Sequence, residues 1–155
     1  MTNEIEKEYG KLASKYKLPD FKSMDLEFEI NELESASFVL KNILGKAAEK
    51  IEFYTNMIND LLQPDTASLS GMHETRFFMD GEKSSMYDLF KKLMKSHRSI
   101  IMLMLEQNEK KQAEFLNNFY KEWAEIKKQL LAYLDKMKDS WDKETSIEQD
   151  LGYFG

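Results

Sequence analysis

Apolar residues recur along this chain in steps of three and four. Over residues 3–17, Ile5, Tyr9, Leu12 and Tyr16 fall on one stripe, which predicts a short N-terminal helix. Gly10 weakens it. Leu18-Pro19-Asp20 ends it, because the residue before a proline is pushed out of the α region. A longer row follows: Leu26, Ile30, Leu33, Ser37, Leu40, Leu44, Ala47, Ile51, Tyr54, Ile58 and Leu61. Its strict four-three alternation is a heptad repeat. A second row, Ala36, Val39, Ile43, Ala48, Met57 and Leu62, flanks the first. The combined stripe is wider than a two-stranded seam and suits a bundle of three or four helices. It predicts one long helix over 25–62, roughly 55 Å at 1.5 Å per residue. Gln63-Pro64-Asp65 stops it.

Residues 63–84 hold Pro64, Gly71 and Gly81 and are predicted to form a loop, with one or two helical turns between Met72 and Met79. Ser84 and Ser85 are good N-cap residues. From there Met86, Phe90, Leu93, His97, Ile100 and Met104 set a helix over 84–107. Leu116, Phe119, Trp123, Ile126, Leu130, Tyr133 and Met137 set another over 111–142. Met104 and Leu116 point roughly 120° apart on an ideal helix, so these two stripes do not share a phase. Helix propensity across 106–112 favours one continuous helix. Compactness favours a turn near Asn108, and the turn is the stronger expectation. The tail runs over 143–155, and its end, Asp150-Leu151-Gly152-Tyr153-Phe154-Gly155, puts aromatics between glycines and reads as non-helical. The expected fold is all-α: a single helical domain over 1–155, with three long amphipathic helices, a short N-terminal helix and coiled-coil-like heptad packing.

Composition supports this and narrows the chemistry. Two Pro and six Gly in 155 residues are few breakers, and ten Phe, seven Tyr, two Trp and ten Met supply a core. The absence of Cys removes disulfides, thiol nucleophiles and thiolate metal sites, and fits a reducing, cytoplasmic setting. The start, Met1-Thr2-Asn3-Glu4-Ile5-Glu6, is too polar for a signal peptide. The strongest apolar run, Ile100 to Leu105, is far short of the about 20 residues a membrane crossing needs, so no membrane insertion is expected. A formal charge of −6 argues against nucleic acid as a partner.

No motif assigns catalytic, cofactor-binding or metal-binding residues. Di-iron bundles need Glu-x-x-His pairs, but Met94 precedes His97 by three positions and Ser70 precedes His73. Zinc spacings, the Gly-x-Ser-x-Gly elbow and phosphate-binding glycine loops are all missing. Ser70, His73 and Glu74 are close in sequence, yet a triad needs geometry rather than adjacency. The densest polar constellation outside the long stripes is His73, Glu74, Arg76, Phe77 and Phe78. These are candidate partner or ligand contacts on a loop; the competing expectation is that the two Phe tuck inward while Glu74 and Arg76 stay solvated. His97, on the apolar stripe between Leu93 and Ile100, is a candidate buried polar switch.

The expected function is non-enzymatic: protein–protein interaction or assembly through helix faces, as a homodimer or with another helical protein. Phe38, Phe53 and Phe115 lie off the main heptad positions and are the candidate dimer contacts. The alternative is a small-molecule or nucleic-acid-binding regulator that uses the 71–83 loop or the basic face around 91–98, Lys91 to Arg98.

Overall fold

A computed structural model of the chain describes residues 2–151. Among them there are helices and no strands, so the all-α class holds. The helices are α1 (Thr2–Tyr16), α2 (Phe21–Phe28), α3 (Val39–Leu62), α4 (Leu69–Thr75), α5 (Asp80–Glu106), α6 (Glu109–Ser140) and α7 (Ile147–Leu151), with a 3-10 turn at Ile30–Glu32. Helix α1 and the long helices α5 and α6 match the stripes closely, and the chain turns at Gln107 and Asn108 between α5 and α6.

The expected helix over 25–62 is not continuous. Helix α2 starts on an Asp20 cap, whose Oδ1 accepts from the Ser23 backbone N–H at 2.8 Å. It stops at Glu29, which turns left-handed at φ 53°. The Asp25 side chain then accepts the Asn31 N–H at 2.8 Å, and the Lys50 ammonium donates to the Glu27 carbonyl. These bonds satisfy groups that a continuing helix would have paired internally. Ser35, Ala36 and Ser37 follow in an irregular stretch, with Ser35 Oγ accepting from Ser37 N–H at 3.0 Å. Phe38, at φ 54°, sets the chain into α3. Leu26 loses its place in the heptad row and is 78% exposed, while Met24, Phe28 and Ile30 take the interior.

Three further boundaries differ from expectation. The 63–84 segment is no plain loop. Ser68 caps α4 by accepting from Gly71 N–H at 3.2 Å, and a Cβ on Gly71 would sit 3.2 Å from that same oxygen. Helix α5 begins at Asp80 rather than 84, because Glu82 Oε1 accepts the Met79 N–H at 3.0 Å. That is the return half of a capping box. The tail is also partly helical: Ser146 and Gln149 cap α7 reciprocally, Gln149 N–H to Ser146 Oγ at 3.2 Å and Ser146 N–H to Gln149 Oε1 at 2.9 Å. Tyr153 and Phe154, part of the same expectation, lie outside the described residues.

Contacts divide the chain into two compact units. The first comprises Met1–Glu52 with Lys95–Ala124, the second Phe53–Met94 with Glu125–Gly155. In the first, Leu40, Leu44, Ala47 and Ile51 of α3 are buried with Ile100 of α5 and Leu116 of α6. Phe28, Phe119 and Trp123 form an aromatic cluster with centroids 5.8–6.1 Å apart. Lys50 lies over Phe28 and Trp123 at 5.6 and 5.4 Å, and the Trp123 indole donates to Glu27 at 2.7 Å. In the second, Ile58 and Leu61 are buried with Met86, Leu93, Ile126 and Leu130. The half-buried Tyr54 yields its expected inward place, and Thr55 is the buried neighbour.

Leu44 is fully buried in the middle of this row. Leu44→Ala should cost about 2–5 kcal/mol, read from chemical denaturation. A change within experimental error would mean that the row faces solvent in the single chain.

Candidate functional site

The second unit gathers polar and aromatic groups around α4. Thr75 Oγ1 donates to the Leu61 carbonyl at 2.7 Å, which ties the end of α4 to the last turn of α3 and satisfies a carbonyl the helix leaves open. This anchoring fixes the direction of His73, whose side chain is 2% exposed. Its Nε2 donates to the Ser140 carbonyl at 2.8 Å, and its Nδ1 lies 2.8 Å from Asp150 Oδ1. A carbonyl can only accept, so Nε2 carries a proton, and a second proton must lie between Nδ1 and the carboxyl group.

Arg76 reaches the same carboxylate oxygen with Nη2 at 2.5 Å, and Thr145 Oγ1 donates to the other at 3.2 Å. Burial works to raise the Asp150 pKa. The contacts with His73, Arg76 and Thr145 outweigh it and hold the group below the usual carboxylate range. Trp141 stacks on the His73 ring at 4.0 Å and 21°, and Phe77 packs against it at 5.1 Å and 51°. The Trp141 indole donates to Glu74 Oε2 at 3.1 Å. Arg76 lies 5.6 Å over Phe77.

Four of the five candidate contacts are therefore brought together: His73, Glu74, Arg76 and Phe77. Phe78 is 4% exposed and packs elsewhere, edge-on to Tyr133 at 6.4 Å and under Lys136 at 5.3 Å. Ser70 pairs its hydroxyl with that of Ser68 at 3.4 Å, and both His73 nitrogens are engaged with other groups. The three residues close in sequence thus form no Ser-His-carboxylate relay. Among the described residues no group of three His, Asp or Glu is placed to hold a metal ion. The arrangement ties the α7 segment to α4, and both ring nitrogens of its histidine are engaged in doing so.

Sequence reasoning missed Asp150, Ser140, Trp141 and Thr145. Asp150 is 77 positions from His73, and no local pattern links them. The Ser146–Gln149 capping pair was the one visible sign that a helix would put Asp150 in a defined place.

His97 lies in the first unit and is 8% exposed. Arg98 Nη1 lies 2.8 Å from Nδ1, and Nε2 lies 3.1 Å from Glu52 Oε1. A guanidinium only donates, so Nδ1 accepts and the ring proton on Nε2 goes to Glu52. On the basic face, Lys91 pairs with Asp88 at 3.5 Å and sits 4.9 Å over Tyr87.

The first unit also carries exposed apolar groups. Phe38 is 78% exposed, Met102 60% and Leu105 80%. Phe38 borders a cavity of about 260 Å³, with Leu12, Ala36, Leu40 and Gln107 in its lining. Phe115, the third candidate dimer contact, is half-buried and stacks on Phe119 at 5.7 Å and 10°.

Asp150 gives a signed pH dependence. Its folded pKa is lowered, so its stabilising effect is complete above the ordinary carboxylate value of about 3.9 and is lost as pH falls through the lowered one. Urea denaturation should show Asp150→Asn less stable than the parent at about pH 5, with the margin closing as pH falls below the ordinary carboxylate value. A margin that widens in acid would contradict the pairing.

No protein-family model matches the chain, and no curated protein and no solved structure matches it either.

Proposed function

We propose that the chain is a non-enzymatic interaction module that associates, with a second copy or another helical protein, through exposed apolar side chains. The observation that carries this is Phe38. Its backbone is left-handed at φ 54°, and its ring is 78% exposed. A non-glycine residue in that region costs about 1–2 kcal/mol, and a bulky aromatic there is rare. An exposed ring returns little of that cost within the single chain. Burying it would contribute about 1.5–3 kcal/mol, and aromatic anchors beside a cavity are typical centres of protein interfaces. Phe53, 68% exposed in the other unit, is a further contact of the same kind.

The regulator alternative has less support. His73 is committed to internal partners, residues 71–83 are largely folded, and Lys91 and Arg98 are engaged with Asp88 and His97. No helix among the described residues is long and apolar enough to cross a membrane.

Sedimentation equilibrium tests the proposal. The parent should self-associate at micromolar concentration, and Phe38→Ser should weaken this about tenfold or more. A strict monomer across the range for the parent would reject the homodimer. Phe38→Gly relieves the backbone at an exposed position, so it should leave monomer stability within about 1 kcal/mol of the parent or raise it. A larger loss in denaturation would show that Phe38 serves the fold rather than a contact.

A further inference from the structure

Helix α7 and the residues leading into it are held in an unusual way. Of the α7 side chains described, Ile147, Glu148 and Gln149 are exposed and Asp150 is buried. Ahead of it, Trp141 is 48% exposed, so among the described side chains the hydrophobic effect has little area to act on beyond the Trp141–His73 stack. The binding is instead polar and concentrated at one point. The Asp150 carboxylate meets His73 and Arg76 of α4 and the Thr145 hydroxyl of its own segment. From α6, the Ser140 carbonyl holds the far side of His73. Glu74 holds the Trp141 indole that covers the ring.

We propose that residues 141–151 form a detachable clasp whose catch is the Asp150 carboxylate seated between His73 and Arg76. The clasp opens as a unit while the helices it closes on stay folded. Its physical basis is the asymmetry between its contacts and those of the core. Segments with few buried apolar contacts open at free energies well below global unfolding. A single charge-assisted cluster makes that opening depend on one carboxylate. Opening uncovers the buried His73 ring, on which Trp141 stacks in the closed form. This inference is independent of association through Phe38.

Hydrogen exchange followed by mass spectrometry on the intact chain tests it. Asp150→Asn should speed exchange across 145–151 by about tenfold or more, the loss expected for a charge-assisted bond. Amides of 145–151 should exchange well ahead of those of α3, α5 and α6 in both proteins. Unaltered exchange in 145–151 would overturn the proposal, and so would exchange there as slow as that of the α3 amides in the parent. Should Asp150→Asn fail to fold, the parent in increasing sub-denaturing urea gives the same decision. Exchange of 145–151 through an opening less urea-dependent than that of the α3 amides supports the clasp. Exchange that tracks α3 at every urea concentration excludes it.

Discussion

Burial of the apolar row on α3 is the interaction on which the other features depend. Leu40, Leu44, Ala47, Ile51, Ile58 and Leu61 are each at most 2% exposed. They contribute to the cores of both packing units, because α3 runs from one into the other. Buried side chains of this kind contribute about 1.5–3 kcal/mol each, more than any exposed ion pair on the surface. Once that row is buried, the apolar faces of α5 and α6 have a place to pack, and the connecting segments must adapt to where the helices end.

The connections adapt at a backbone cost. Lys17, Glu29, Phe38 and Gln107 all hold positive φ without being glycine. Three of them follow directly on α1, α2 and α5, and Phe38 leads into α3. Polar bonds accompany these ends: Lys50 to the Glu27 carbonyl, and Asn108 Oδ1 accepting from Lys111 N–H at 3.1 Å. The same division of labour appears at α4 and α7. Hydrophobic burial fixes the long helices and α2, while hydrogen bonds and charge hold α7 against α4. Helix α7 is therefore the element a change of charge can move.

The sequence carried the long-range pattern well and the interruptions poorly. The stripes of α5 and α6 were legible from their period, and the turn between them from their offset phases and the demand for compactness, against the helix propensity of 106–112. The break between α2 and α3 was not, because the heptad spacing continues through Glu29 and Ser37 while the backbone does not. Left-handed Glu29 and Phe38 leave no signature in residue type, unlike a glycine. The helical turns expected between Met72 and Met79 overlap α4 but start late, because Gly71, which looks like a loop residue, fits under the Ser68 cap. His73 and Arg76 stood out in the sequence as polar residues in an irregular stretch. Their partner could not be seen, since Asp150 reaches them only after α6 and α7 have folded. Phe78 was legible as a residue that must pack somewhere, but not where.

The α3 row is buried within the single chain, so the fold should not depend on a second copy. The most direct measurement is tryptophan-detected unfolding at a concentration where sedimentation shows only monomer. A cooperative transition is expected there, with Trp123 shielded in the folded state as its 3% exposure requires. A chain that loses its structure on dilution to monomer would instead place the α3 row between chains.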